Sequence, residues 1–189
     1  MYRALVTGPD RLTVQLDEGR HVRDYYERAE KRGQSLEVTL NNGIGPAVHI
    51  ASAVPSSAAP IDKDEPGIAG NISGEPLRLI RSQTVGVEGL ADAQFILEAE
   101  ILPEVHESEG PFAEVTGYYA TQGNRWVMRV KKITRRKNPI WQTILSGKEV
   151  YNSVGLVGEA VVSGFGETGY QPLIDFKVSS FCGWSHFSP

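Results

Sequence analysis

The sequence predicts an α+β protein, mainly β, arranged as a closed or split β-barrel with a few helices at its ends. Three observations predict it. Short β-rich runs alternate with Gly, Pro and Asn turn signals along most of the chain. Only a few segments have helical spacing. No internal repeat or composition break divides the 189 residues, enough for one domain with a sizeable core.

The elements follow in order. "YRALVTGPDRLTVQL" (2–16) is two β runs around Gly-Pro-Asp, a hairpin signal. "RHVRDYYERAEKRG" (20–33) has helical spacing, with Val22, Tyr25, Tyr26 and Ala29 near one face and Gly33 as its stop. "SLEVTL" (35–40) alternates as a strand, "NNGIGP" turns, and "AVHIASAVP" (47–55) reads as a short buried helix ending before Pro55. "SSAAPIDKDEPG" (56–67) is a surface loop and "IAGNISG" (68–74) a helical turn. "LRLIRSQTVGV" (77–87) and "AQFILEAEILP" (93–103) are strands. "EVTGYYATQGNRWVMRVKKITRR" (114–136) is a hairpin around Gln-Gly-Asn, and "NPIWQTILSG" (138–147) another strand. A helix over 151–162 and a strand over 172–180 complete the pattern.

Composition excludes several functions. Hydrophobic residues are 40 % and charged residues 22 %, ordinary for a globular protein. A net charge of −4 argues against a general nucleic-acid binder, and the one basic run, "KKITRRK" (131–137), reads as the exposed end of a strand. No apolar run approaches the roughly 20 residues of a membrane span. The N-terminus lacks the apolar core of a signal peptide. Cys182 is the only cysteine, so no internal disulfide forms and a reducing compartment is expected. The expectation is a cytoplasmic protein that binds neither nucleic acid nor membrane.

One motif raises a chemical question. "EGPFAEVTGYY" (109–119) sets Glu109 and Glu114 around a Gly-Pro-Phe-Ala linker. On spacing alone, two such acids are more often solvated loop residues than a site.

The surroundings change the weighting. "GEPLRLIRSQTVGVEGLADAQFILEAEILP" followed by "EGPFAEVTGYY" resembles the UbiD family of prenylated-flavin-dependent decarboxylases. "KKITRRKNPIWQTILSGKE" downstream and "YR…GRHVRDYYERAEKRG" upstream extend the resemblance over nearly the whole chain. It implies a split β-barrel of the flavin-reductase type that binds prenylated FMN, or FMN. It also implies a small carboxylic acid as substrate and a flavin prenyltransferase as the source of the cofactor. Arg3 and Glu109 match the family's ion pair beside the flavin ring, and Glu114 its proton donor. Such a division suits the reaction, because loss of CO₂ leaves electron density that a cofactor must accept and an acid must quench.

The resemblance further implies a divalent cation at the cofactor phosphate, Mn²⁺ or Mg²⁺, with K⁺ as the nearby monovalent ion. His21 and Glu65 match two of its ligands, and oxygen donors with one imidazole suit these ions better than zinc. Arg20 lies beside His21 in the cofactor-binding segment. "ASAVP" (51–55) resembles the loop that wraps the phosphate and the flavin edge. Ser52 and Pro55 match, whereas Ala53 and Val54 depart and leave backbone contacts only.

Other departures bear on function. The family's third metal ligand, an asparagine five residues before the arginine, has no counterpart ahead of Arg3. Ala113 stands where the family has glycine, and Lys148 where it has an acid. "LIDFKVSSFCGWSHFSP" (173–189) resembles the start of the family's C-terminal domain. The expected organisation is therefore a cofactor-binding barrel over 1–175 and a truncated C-terminal region over 176–189, whether natural, split or engineered. Phe176, Phe181, Trp184 and Phe187 are the expected docking patch for a homo-oligomer or a partner subunit. Two function classes follow: a decarboxylase or carboxylase of aromatic, heteroaromatic or α,β-unsaturated acids, and a flavin-binding or carrier module without that activity.

Overall fold

The computed structural model describes residues 3–54, 65–113 and 118–143. Two strands, β1 (Ala4–Val6) and β2 (Arg11–Val14), form the expected N-terminal hairpin. Helix α1 (His21–Glu30) follows, then β3 (Leu36–Asn42), α2 (Pro46–Ala53) and α3 (Glu65–Ser73). Short strands β4 (Leu79–Arg81) and β5 (Glu88–Leu90) precede the long β6 (Phe95–Glu109). A two-residue ribbon, β7 (Phe112–Ala113) with β8 (Tyr119–Ala120), leads into β9 (Gly123–Arg135).

The main sheet has the order β1-β2-β9-β6-β3 and every pairing in it is antiparallel. Among the described residues it is open, with β1 and β3 as its edges, so the closed form of the predicted barrel is not what forms. One face is apolar. Leu12, Val14, Ala99, Ile101 and Met128 project from it, and α1 covers them with Tyr26 and Val22. Val14, Ile101 and Met128 are fully buried, each contributing roughly 1.5–3 kcal/mol of apolar transfer. Arg23 lies 4.5 Å over the Trp126 ring and Tyr26 meets that ring edge-on, closing one end of this core.

The other face is polar, because side chains alternate along each strand. Thr13, Glu98, Glu100 and Glu109 project from it, and all four are buried. The buried acids are each met by donors, as burial requires. Glu100 accepts from Arg129, Lys131 and Ser35. Burial alone would raise its pKa, but these donors outweigh it and the carboxyl sits below the usual range. Glu98 behaves alike: burial raises its pKa, but the Thr84 hydroxyl and the backbone N–H groups of Gln83 and Thr84 outweigh burial and leave it lowered.

Glu98 explains one departure from the predicted elements. Of the expected strand over 77–87 only β4 forms; a bend follows, and β5 begins just beyond the expected range. The bend's Gln83 and Thr84 N–H groups donate to the Glu98 carboxylate instead of to a neighbouring strand. β6 differs in the other direction. It runs past Pro103, which lacks an N–H, because residues 102–105 form a bulge opposite Val127, with Glu104 at φ 58°.

The hairpin expected over 114–136 is also rearranged. β9 pairs with β6, in register Glu109↔Gly123, and the Gln-Gly-Asn segment leads into it from the β7–β8 ribbon. "EGPFAEVTGYY" thus begins at the last residue of β6, at the tip of the long β6–β9 hairpin. Glu65 and Pro66 open α3 rather than closing a loop. Residues 138–143 form no strand; Gln142 instead bonds Asn42 and Ile44 through side chains at the end of β3. The helix expected over 151–162, the strand over 172–180, the 175/176 boundary and the aromatic patch of the tail lie outside the described residues. No helix among the described residues is long and apolar enough to cross a membrane.

Candidate functional site

The site is built on the polar face, where the β1–β2 hairpin meets the tip of β6–β9. Arg3 stands opposite Gln15, and Thr13 lies two residues along the same face. Arg3 Nη2 donates to Glu109 Oε1 at 2.9 Å and to Gln15 Oε1 at 2.7 Å. The Thr13 hydroxyl donates to Glu109 Oε2 at 2.7 Å. Glu109 is only 2 % exposed, so both its oxygens work in a low-dielectric setting where a charge-assisted hydrogen bond is strong. Arg125 Nε approaches the same Oε1 at 3.7 Å.

Backbone geometry turns the chain sharply after Glu109. Gly110 has φ 108°, outside the range of side-chain-bearing residues, and a Cβ there would stand 3.1 Å from Gln122 Cα. The glycine therefore leaves Glu109 in the ladder while the following residues swing away. Glu114, the second acid of the motif, lies outside the described residues.

A second constellation joins the N-terminus of α1 to α2 and α3. Arg20 precedes the helix and donates from Nη1 to the Val54 carbonyl at 3.0 Å, tying α1 to the end of α2. His21 is the first residue of α1 and is buried. Its Nδ1 lies 3.0 Å from Glu65 Oε1 on α3, and its Nε2 is buried without a hydrogen-bond partner. A separation of 3.0 Å suits a hydrogen bond. It also suits two ligands on one edge of an octahedral ion, about 3 Å when each bond is ~2.1 Å. Among the described residues no group of three His, Cys, Asp or Glu side chains forms, so His21 and Glu65 would hold an ion only with outside donors such as a phosphate.

Ser52 lies on α2 and donates to the His49 carbonyl at 2.8 Å. The backbone of Ala53 ends α2 and Val54 follows it, while Pro55 lies outside the described residues. A cavity of about 410 Å³ opens beside these helices, with Ser52, Glu65, Ala51, Asn41 and Leu90 in its walls.

The sequence-predicted residues thus fall into two groups: Arg3 with Glu109, and Arg20 and His21 with Val54 and Glu65. Thr13, Gln15 and Arg125 escaped the sequence reading. Their signal was strand alternation. Thr13 and Gln15 interrupt an apolar strand on the Arg3 face, and Arg125 follows Gly123 by two residues on the Glu109 face.

The sequence and the open antiparallel sheet place the chain in a class when set beside known proteins. The family model described as the UbiD 3-octaprenyl-4-hydroxybenzoate carboxy-lyase Rift-related domain matches residues 1–149. This chain belongs to the UbiD family. It is 53 % identical over 161 residues to an uncharacterised protein of the cooM 5′ region of Rhodospirillum rubrum, covering 85 % of this chain and 35 % of that one. It is 33 % identical to a phenolic acid decarboxylase of Bacillus subtilis, covering 78 % of this chain and 30 % of that one. Among solved structures it is similar to the UbiD-class enzyme HmfF of Pelotomaculum thermopropionicum in complex with FMN. That likeness has a TM-score of 0.78 at 36 % identity, over 85 % of this chain and 35 % of that one. The chain spans about a third of the length of these relatives.

Proposed function

We propose that this chain is the cofactor-binding part of a reversible, non-oxidative decarboxylase or carboxylase. Its substrate class is an aromatic, heteroaromatic or α,β-unsaturated carboxylic acid. The observation that carries the reading is the buried pair of Arg3 and Glu109, with Thr13 on the second carboxylate oxygen. A solvated loop acid would have no such cage. The names of relatives support the class: phenolic acid decarboxylase, and an anhydromevalonate phosphate decarboxylase of Methanothermobacter thermautotrophicus at 34 % identity. An evolved dimeric HmfF is known in complex with prFMN, which supports prenylated FMN here.

The residues divide the work. Arg3 receives the substrate carboxylate while Glu109 keeps the guanidinium in place. Glu114 delivers the proton to the carbon that CO₂ leaves. His21 and Glu65 would hold a divalent ion, Mn²⁺ or Mg²⁺ with K⁺ nearby, which would supply positive charge for the cofactor phosphate, and Arg20 braces the adjoining end of α2. When bound, prenylated FMN supplies the electron sink for the cleaved bond.

A second reading is a flavin-binding or carrier module, or a subunit that acts with a homo-oligomeric or partner chain; the HmfF complexes with FMN and prFMN support the flavin binding that this reading requires. Co-expression with a flavin prenyltransferase separates these readings from no flavin role at all. The visible spectrum and mass of the bound cofactor should report prenylated FMN. A protein that purifies colourless after such co-expression would count against both readings.

A further inference from the structure

Arg125 Nε is buried and has no hydrogen-bond partner. It lies 3.7 Å from Glu109 Oε1, the oxygen that accepts from Arg3. Buried donors are almost always satisfied, so an orphan this close to a carboxylate calls for a reason.

Strand register makes the placement more pointed. Glu107 faces Arg125 directly across the β6–β9 ladder, and Glu109 faces Gly123. Yet Glu107 is taken by Arg11 at 2.6 Å and also accepts from Thr7. Arg125 leans diagonally toward Glu109, over the glycine. A Cβ at Gly123 would stand 2.7 Å from Arg125 Nη1, so only glycine leaves the guanidinium this position. The other groups facing Glu109 are accounted for. Thr13 holds Oε2, and Gln15 accepts from Arg3 while donating to Asp17.

We propose that Arg125 is a reserve donor for Glu109, a positioning residue that takes Oε1 when Arg3 turns to a substrate carboxylate. The proposal rests on the functional reading of Arg3 given above. The movement needed is small, from 3.7 Å to the ~2.9 Å of an N–H···O bond. Glu109 then keeps a cationic partner through the turnover and stays aimed, although its first partner is engaged elsewhere. The Arg11–Glu107 pair keeps the neighbouring acid from competing for Arg125.

Removing Arg3 by mutation imitates its engagement, which gives a test needing neither ligand nor activity. The unfolding temperature of the full chain is measured for Arg125→Ala in wild-type, Arg3→Gln and Glu109→Gln backgrounds. The substitution should shift it little in the wild type and not at all without Glu109. Without Arg3 the shift should be larger by about 2–4 °C, the scale of one hydrogen bond in a domain of this size. Gly123→Ala should follow the same pattern, which covers the case of Arg125→Ala failing to fold. Arg125→Lys should restore part of the difference, and Arg11→Ala should show no dependence on Arg3. Equal shifts in all three backgrounds would overturn the proposal.

A second arm measures benzoate binding to the FMN-loaded protein by calorimetry. Arg125→Ala and Gly123→Ala should each weaken it about tenfold, as loss of one bond to a charged group does. Wild-type affinity in both variants would also overturn it. A wild type that ignores benzoate would count against the decarboxylase reading alone, with the Arg3 background series still deciding the role of Arg125.

Discussion

Arg3 and Glu109 lie 106 residues apart in the chain and meet at 2.9 Å on the polar face of the sheet. No local preference brings them together. The β1–β2 hairpin carries Arg3 to the sheet edge, β2 pairs with β9, and β9 pairs with β6, whose last residue is Glu109. The sheet therefore has to form before the pair exists, and the pair in turn ties its edge hairpin to the motif.

Breaking that pair should be costly. Glu109→Gln leaves the Arg3 guanidinium beside a neutral amide, and loss of one partner of a buried ion pair costs roughly 3–5 kcal/mol. Urea unfolding should show a lower midpoint with an unchanged slope. An unaltered midpoint would mean the pair is a surface contact of no structural weight.

Acid should weaken the fold through Glu98 and Glu100. Both have folded pKa values lowered from the ordinary 4.5: burial opposes the shift, and the donors of Thr84, Gln83, Arg129, Lys131 and Ser35 outweigh burial. A depressed carboxylate pKa adds stability that is complete above the unfolded value and lost as pH falls below it, toward and through the folded value. Stability should therefore drop as pH falls below about 4.5. Thermal unfolding of Glu98→Gln across that range should show a shallower dependence on pH than the wild type. The same slope in both would remove Glu98 from this account.

Gly110→Ala should be poorly tolerated. At φ 108° a side chain is strained, and the new Cβ would press on Gln122 Cα at 3.1 Å. A destabilisation of about 1–3 kcal/mol is expected, read as a fall in the urea midpoint. A stabilised variant would show that the chain turns some other way after Glu109.

His21→Ala combined with Glu65→Ala should remove the preference for FMN over riboflavin, since only the phosphate distinguishes the two. Fluorescence titration with each flavin checks this, with and without Mn²⁺. Retention of wild-type FMN affinity in the double variant would take the phosphate and its ion away from these residues.

Much of this was legible in the sequence, for identifiable reasons. The N-terminal hairpin, α1 and β3 have clean periodicity with turn residues at their ends, and they form where that pattern places them. Pro103 misled, because a proline usually ends a central strand and here a bulge absorbs it. The break between β4 and β5 was hidden because its cause is Glu98, distant in the chain, which captures two backbone N–H groups. At the site, Arg3, Glu109, His21 and Glu65 came from the resemblance rather than from spacing. For Thr13, Gln15 and Arg125 strand alternation gave the face, but their meeting with Arg3 and Glu109 needed the register of β2, β9 and β6, which no local pattern carries.

The measurement that tests the central claim most directly is solvent deuterium exchange into the decarboxylated product at the carbon from which the carboxylate leaves. It would be run with prenylated-FMN-loaded protein in D₂O, using a panel of aromatic and acrylic acids and their decarboxylated products. The account predicts exchange by the wild type and a loss of about 10²–10⁴-fold in Glu114→Gln, the usual value of a general acid, with cofactor still bound. Exchange in Glu114→Gln as fast as in the wild type would contradict the proton-donor role. Neither exchange nor CO₂ release by the wild type across the panel would contradict catalysis by this chain alone.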